Sequence, residues 1–209
     1  MEKLISAITN TDKKLVLELV SEMIDLKEDP IKIIDALRIG MDKVGDKFEK
    51  GEYFLMQLVW AGEIFKDSMR LVKPLINKKG ISAKGRFLIG TVRGDIHDLG
   101  KNIVVTLLES SGFQVLDIGV DVSPDAFVEK TKEFKPHIIG LSGLLTASIE
   151  QMRKTINALK MEGLREQVKV IVGGGVVGED YVSDVVEADA SVTSAVEGVK
   201  ISEKFVKGG

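Results

Sequence analysis

Two patterns of apolar residues divide the chain. Up to about residue 78 the apolar positions recur every three or four residues, which predicts helices. From residue 85 onward, short apolar runs of strand length alternate with amphipathic segments, which predicts a parallel sheet covered by helices on both faces. We therefore predict a helical cap domain over residues 1–80 and an α/β domain over residues 81–209.

The first domain is predicted to be a four-helix bundle, because its helices are joined by short connections that favour antiparallel neighbours. Asp12 is placed to cap the second helix, and Pro30 occupies a first-turn position of the third. The helices are predicted over about 3–8, 12–28, 30–51 and 54–76. The apolar face of the second helix is expected to consist of Leu15, Leu19, Met23 and Leu26. That of the third is expected to consist of Ile33, Ile34, Leu37, Met41, Val44 and Phe48.

The second domain is predicted to be a flavodoxin-like, Rossmann-like doubly wound sheet, since five parallel strands alternate with helices within about 120 residues. The polar, glycine-containing segment 77–85 is the expected interdomain linker. Strands are predicted over 87–92, 114–118, 137–141, 168–172 and about 189–193. Helices are predicted over 101–111, 124–134, 148–161, 179–187 and about 197–206.

Composition narrows the possible chemistry. The 29 basic and 32 acidic residues give a net charge of −3, so no attraction to nucleic acid or anionic membrane is implied. The absence of cysteine excludes disulfides, thiolate metal sites and thiol catalysis. No apolar run reaches the ~18 residues of a membrane helix. We expect a soluble, cytoplasmic protein without a nucleic-acid or membrane partner. Its two histidines suit a metal carried by an organic cofactor better than an all-protein metal site.

Three loops carry the candidate chemistry, and they follow the first, third and fourth predicted strands. In a flavodoxin-like order these strands are neighbours, so the loops converge on the sheet edge where ligands bind. The first loop contains His97, a possible metal ligand, and Asp95, a carboxylate able to orient its ring. The second, 142–148, is rich in hydroxyl groups, and the third, 173–175, consists of glycines that allow close backbone approach.

Each feature has a structural interpretation when taken alone. His97 is then a surface residue, Asp95 a helix cap, the serines caps of a helix from Ile149, and the glycines a left-handed turn. Two ligand classes are disfavoured. No Gly-x-Gly-x-x-Gly follows the first strand, which argues against a nicotinamide cofactor, and no Walker loop is present.

Together, these elements resemble a known signature. The array Asp95-x-His97-x-x-Gly100, Ser142-x-Leu144 and Gly173-Gly174 is similar, in order and spacing, to the cobalamin-binding signature of corrinoid proteins. The helical segment 41–55, MDKVGDKFEKGEYFL, resembles the cap bundle of methionine synthase and of small corrinoid methyl carriers. The chain thus resembles the corrinoid proteins of methanol, methylamine and O-demethylase systems.

This resemblance implies roles for individual residues. His97 would be the lower axial cobalt ligand, Asp95 would accept its other N–H, and Ser148 would extend that link. Phe54 would cap the upper face of the corrin. Trp60 is left open between that role and the bundle core. Contacts to the nucleotide tail or the corrin are expected from Ile96, Asp98, Gly100, Ser142, Leu144, Thr146, Gly173 and Gly174.

The resemblance also implies a function, that of a methyl carrier. Cobalamin, as cob(I)alamin or methylcobalamin, or a related corrinoid would be the cofactor, bound base-off with the histidine on. The expected partners are a substrate-specific corrinoid methyltransferase, a second methyltransferase acting on tetrahydrofolate or a thiol such as coenzyme M, and a reductive activase. The cap would move about a hinge at 77–85. The methyl donor stays open among methanol, methylamines, betaines and methoxyaromatics.

Three other functions are weighed against the carrier. A cobalamin-based sensor would usually be fused to a DNA-binding or signalling module, and the sequence contains no such segment. The cobalamin subunit of a carbon-skeleton mutase usually lacks a helical cap. A flavin carrier would be yellow. The chain departs from the family's usual pattern at Met56, where proline is common, at His137, where aspartate is usual and no ligand role is expected, and at 187–191.

Overall fold

The computed structural model describes residues 1–75, 83–175 and 181–207. The chain forms two compact units, Met1–Ser82 and Ala83–Gly209. The predicted domain boundary after residue 80 and most of the predicted linker lie outside the described residues. Among the described residues, no helix is long and apolar enough to cross a bilayer.

The first unit contains four α-helices within its described part. The Asp12 carboxylate caps α2 by accepting from the Leu15 N–H at 3.1 Å, and the Asp29 carboxylate caps α3 by accepting from the Ile31 N–H at 3.0 Å. Helix α1 packs on α3, and α2 packs on α4. The helices are α1 (Glu2–Thr9), α2 (Lys13–Asp25), α3 (Pro30–Glu49) and α4 (Leu55–Val72), followed by a 3₁₀ turn at Lys73–Leu75.

The apolar face predicted for α3 is confirmed at five of its positions. The face predicted for α2 is wrong at Leu15 and Leu26, while Leu19 and Met23 are half-buried. Helix α2 buries Val16 and Val20, whereas Leu15 and Leu26 are exposed. Two overlapping apolar stripes run along this helix, and packing against α1 and α4 selects the valine stripe. The α3 residues that are buried as expected are Ile33, Ile34, Leu37, Met41 and Val44, while Phe48 is half-buried.

The second unit is a five-stranded parallel sheet with the strand order β2-β1-β3-β4-β5. This is the predicted flavodoxin-like order, and the observed elements agree with the predicted ones to within about three residues. The strands are β1 (Arg86–Thr91), β2 (Gln114–Asp117), β3 (Ile138–Ser142), β4 (Lys169–Gly173) and β5 (Ala190–Val192). The helices are α5 (Leu99–Ser110), α6 (Pro124–Phe134), α7 (Thr146–Met161), α8 (Tyr181–Val186) and α9 (Ala195–Lys207).

The register of the sheet places three loops side by side. Thr91 at the end of β1 pairs with Ser142 at the end of β3, which in turn pairs with Gly173 at the end of β4. One face of the sheet buries its apolar side chains against α6 and α7, including Phe127 and Ile156. This core holds the carboxyl ends of β1, β3 and β4 at one level, where the candidate loops begin.

Candidate functional site

A single buried carboxylate joins the loops that follow β1 and β3. Asp95 is 1% exposed. Its Oδ1 accepts hydrogen bonds from the His97 backbone N–H at 3.0 Å and from the His97 ring Nδ1–H at 2.8 Å. Its Oδ2 accepts from the Leu144 N–H at 2.6 Å, the Leu145 N–H at 3.2 Å and the Ser148 hydroxyl at 2.7 Å. The structure thus brings together Asp95 and His97 of the signature and Ser148, which the resemblance implied would extend their link.

The environment of Asp95 keeps it ionised. Burial by itself raises the pKa of its carboxyl group. The hydrogen bonds from the backbone of His97 and Leu144, from the Ser148 hydroxyl and from the His97 ring lower that pKa by more, and the result is a pKa well below the usual range. An ionised Asp95 accepts from Nδ1–H, so the lone pair of the neutral imidazole lies on Nε2.

The His97 ring is presented at the surface. Its side chain is 50% exposed, and no described residue forms a hydrogen bond with Nε2. Exposed apolar side chains lie at the same sheet edge. They belong to Ile96, which is 73% exposed, and to Leu99, Leu144 and Leu145. The arrangement offers one oriented, unprotonated imidazole nitrogen beside an apolar surface.

Two further residues hold the histidine loop, and no sequence motif indicated either of them. The Thr91 hydroxyl donates to the His97 carbonyl at 3.1 Å. Asp121, in the loop after β2, accepts from the Gly94 N–H at 2.7 Å through its Oδ1 and donates its own N–H to the Asp95 carbonyl at 3.0 Å. The topology could have indicated Asp121, because a flavodoxin-like order places the loop after β2 beside the loop after β1.

A buried lysine was also missed. Lys101, in the first turn of α5, is 3% exposed and its ammonium forms an ion pair with Asp117 at the end of β2. The same ammonium donates to Asn102 Oδ1 at 3.0 Å. Apolar periodicity treats lysine as a surface residue, so it gave no signal here. The pair ties the start of α5 to the edge strand.

The helix-cap interpretations of Asp95 and Ser148 are wrong. Helix α5 begins at Leu99, so Asp98 occupies the N-cap position, and its Oδ2 accepts from the Asn102 side chain at 3.1 Å. Helix α7 begins at Thr146, which makes Ser148 a first-turn residue whose hydroxyl points to Asp95. Two further residues that were expected to contact the cofactor, Gly100 and Thr146, are exposed.

The glycine loop after β4 lies directly against the loop after β3. Gly174 has φ +121°, and a Cβ built on it would lie 2.0 Å from the carbonyl oxygen of Gly143. The carbonyl of Gly173 accepts from the Gly143 N–H at 3.0 Å, and the carbonyl of Ser142 accepts from the Val92 N–H at 3.0 Å. The missing side chain of Gly174 therefore makes room for the protein's own backbone, and this is an independent reason for glycine there.

In the helical unit, Phe54 directly precedes α4 and its side chain is 77% exposed. Its N–H donates to Gln57 Oε1 at 2.7 Å. The neighbouring Tyr53 hydroxyl donates to the Thr9 carbonyl at 2.8 Å, which anchors the connection before α4 on α1. Trp60 is partly exposed, and the Lys13 ammonium lies 5.1 Å from its ring centroid.

Two of the positions that depart from the family pattern lie in the α/β unit, away from His97. His137 precedes β3 at the amino edge of the sheet, where its Nδ1 accepts from the Arg86 N–H at 2.9 Å. Asp189 precedes β5 at the same amino edge and accepts from the Lys169 ammonium at 2.8 Å. Neither is near the carboxyl edge. Met56 is an exposed residue of α4.

The donor set fits a metal that arrives with most of its ligands. Among the described residues, no three or more histidine, aspartate or glutamate side chains are grouped so that they could hold an ion by themselves. His97 offers one nitrogen, oriented by a buried carboxylate as metal-binding histidines usually are. A planar organic ligand such as a corrin supplies the remaining metal donors and an apolar face.

Comparison with known proteins leads to the same cofactor. Two family models, each described as a B12 binding domain, match residues 85–199 and residues 1–73. Trimethylamine corrinoid protein 1 of Methanosarcina acetivorans is 39% identical, and the match covers 91% of this chain and 89% of that protein. A crystal structure of a cobalamin-binding protein from Desulfitobacterium hafniense is 40% identical with a TM-score of 0.81, and the match covers 97% of this chain and 96% of that one.

A second solved structure matches nearly the whole chain. The methanol:cobalamin methyltransferase complex MtaBC of Methanosarcina barkeri matches with a TM-score of 0.84 and 27% identity, covering 99% of this chain and 79% of the matched chain. The expected cofactor class and the Rossmann-like fold with a helical N-terminal region are thereby confirmed. The chain belongs to the B12-binding corrinoid protein family, and its cofactor is cobalamin or a related corrinoid.

Proposed function

We propose that this chain carries a methyl group on a cobalamin that is bound base-off, with His97 as the lower axial ligand. The observation that carries the proposal is the His97 ring itself, which is half-exposed and held through Nδ1 by a buried carboxylate at 2.8 Å. Because that hydrogen bond fixes the tautomer, Nε2 presents its lone pair outward. A corrinoid's own base would compete for the same metal position and would have to leave it.

When bound, the cofactor supplies a cobalt centre that accepts and donates a methyl group, and the protein controls its lower side. Asp95 keeps Nδ1 protonated and Nε2 free to coordinate. Ser148 and the Leu144 N–H hold that carboxylate in place, so the ring keeps one orientation.

The remaining roles follow from position. We assign eight residues to the cofactor's lower side and nucleotide tail. They are Ile96, Asp98, Gly100, Ser142, Leu144, Thr146, Gly173 and Gly174. In the helical unit, the exposed ring of Phe54 is assigned to the corrin's upper face.

The partners we propose are a substrate-specific corrinoid methyltransferase, a second methyltransferase that passes the methyl group to tetrahydrofolate or a thiol, and a reductive activase. The names of the similar proteins point to trimethylamine in one case and to methanol in another. These names support a small methylated compound as the donor class. The chain's own site contacts the cofactor, so donor selectivity is assigned to the partner.

The test is a spectroscopic identification of the lower ligand. The full chain, labelled with nitrogen-15 histidine, is reconstituted with hydroxocobalamin of natural isotope content and reduced to the Co(II) state. If His97 is the ligand, the superhyperfine splitting in the electron paramagnetic resonance spectrum is the doublet of nitrogen-15. His97→Ala is expected to lose that doublet. His137→Asn, at the opposite sheet edge, is the matched control and is expected to keep it.

Three results would contradict the proposal. A triplet in the labelled wild-type protein would show that the cofactor's own base remains bound, and a colourless protein would show that no corrinoid binds. If His97→Ala retained the wild-type spectrum, the ligand assignment would also be wrong.

A further inference from the structure

The loop after β2 holds the turn that leads into the histidine loop. Asp121 Oδ1 accepts from the Gly94 N–H at 2.7 Å, and the Asp121 N–H donates to the Asp95 carbonyl at 3.0 Å. Next to it, the Val122 N–H donates to the Thr91 carbonyl at 3.0 Å. One residue thus binds the turn through both its side chain and its backbone, on either side of the peptide that joins Gly94 to Asp95.

Asp121 adopts an unusual backbone conformation to do this. Its φ is +54°, in the left-handed region where aspartate and asparagine are tolerated far better than most other side chains. Such conformations cost energy and persist where surrounding contacts require them. The contacts at Asp121 are with the histidine loop.

The geometry of that turn determines where the Asp95 carboxylate points. The Asp95 N–H donates to the Val92 carbonyl at 3.1 Å, which closes the turn, and Gly94 adopts φ +79° within it. A rotation of the Gly94–Asp95 peptide would move Asp95 Oδ1 relative to the ring Nδ1 that it holds. Asp121 opposes that rotation by holding the two flanking peptides: its carboxylate binds the Gly94 N–H of the Arg93–Gly94 peptide, and its N–H binds the Asp95 carbonyl of the Asp95–Ile96 peptide.

The loop that carries Asp121 is itself held at its start. Asp117 accepts from the Gly119 N–H at 3.0 Å through Oδ1 and pairs with the buried Lys101 ammonium through Oδ2. The Thr91 N–H donates to the Gly119 carbonyl at 2.9 Å. These hydrogen bonds fix the loop that carries Asp121. A residue can orient another one only if its own position is fixed in this way.

We propose that Asp121 is a positioning residue that keeps the Gly94–Asp95 turn, and through it His97, in the conformation that coordinates cobalt. This inference rests on the proposed function, because it concerns the step at which His97 binds the metal. It gives the loop after β2, which lies outside the signature motifs, a role in positioning the lower axial ligand. Asp121 itself touches neither the imidazole nor, in this proposal, the metal.

Two substitutions separate the side-chain hydrogen bond from the backbone strain. Asp121→Gly tolerates φ +54° and keeps the N–H bond to Asp95, but it removes the acceptor for the Gly94 N–H. Asp121→Asn keeps both a carbonyl acceptor and tolerance of the left-handed region. Lys135→Gly is the matched control, since Lys135 also has positive φ, +48°, and lies at the other edge of the same sheet.

The measurements are made on the full chain with and without cofactor. In the nitrogen-15 histidine experiment, Asp121→Gly is expected to lower the ratio of histidine-on to histidine-off cobalt by about tenfold, the value of one hydrogen bond to a charged group. Asp121→Asn is expected to restore most of that ratio, and Lys135→Gly to leave it unchanged. In the apoprotein, Asp121→Gly is expected to accelerate hydrogen exchange at the Gly94 amide.

Each outcome decides the question. If the wild-type protein shows the histidine doublet and Asp121→Gly shows the same ratio, the positioning role is wrong and the proposed function stands. If Lys135→Gly lowers the ratio equally, the effect is a general consequence of glycine, and the inference is again wrong. If the wild-type protein shows no doublet, the proposed function fails, and this inference fails with it.

Discussion

Asp95→Asn tests the carboxylate on which the site is built. The substitution preserves shape but provides only one acceptor oxygen. That oxygen is expected to face the side with more donors, formed by the N–H groups of Leu144 and Leu145 and the Ser148 hydroxyl. The amide NH₂ then faces His97. There it opposes another donor, the His97 backbone N–H, which normally donates to the Asp95 carboxylate.

The cost can be worked out from these bonds. The two short bonds to Leu144 and Ser148 lose their charge assistance, at about 1 kcal/mol each, and the His97 N–H loses its acceptor, at about 1 kcal/mol more. We expect the free energy of unfolding to fall by about 3 kcal/mol. With a urea m-value of about 2 kcal/mol/M, the unfolding midpoint moves down by about 1.5 M.

The same substitution reverses the imidazole tautomer. An amide NH₂ beside Nδ1 requires that nitrogen to accept, so the ring proton moves to Nε2 and blocks coordination. Nitrogen-15 NMR of the apoprotein reports the tautomer, and urea unfolding followed by circular dichroism reports the stability. Asp125→Asn, an exposed aspartate in the first turn of α6, is the control. A loss below about 0.5 kcal/mol, or an unchanged tautomer, would refute this reasoning.

Two further predictions concern pH and the glycine loop. Because the folded-state pKa of Asp95 is depressed, its contribution to stability is present above the unfolded value of about 3.9 and is lost as pH falls from there toward the folded pKa. Acid unfolding of the wild type should therefore be steeper than that of Asp95→Asn, and parallel curves would contradict this. Gly174→Ala should lower the free energy of unfolding by about 1–3 kcal/mol more than Gly163→Ala, because Gly163 also has positive φ but open space around its Cβ. Equal thermal shifts would show that the contact with Gly143 relaxes freely.

The sheet was predictable because its sequence pattern leaves few alternatives. Apolar runs alternating with amphipathic helices restrict the topology, and the right-handed crossover rule places sequential strands. The faces of short helices are less determined. The α2 helix carries two apolar stripes, and only contact with other helices decides between Val16 and its neighbour Leu15.

The candidate site was predictable where residues are close in sequence or belong to the signature. Asp95 and His97 are within that set, Ser148 was expected from the family resemblance, and the structure brings the three together. Asp121 was not predictable in the same way, because its role depends on a positive φ and on the register of β2 against β1. Lys101 was missed because its burial depends on an ion pair across two elements.

The hydrogen bonds described above for the histidine loop join it to other described residues of the same chain. The conformational entropy of ordering this loop is therefore lost when the protein folds and does not have to be lost again when a ligand arrives. We therefore expect the rate of corrinoid capture to be governed by diffusion and by departure of the cofactor's own base, and not by ordering of this loop. A carrier organised in this way can bind its corrinoid repeatedly without reordering the histidine loop each time.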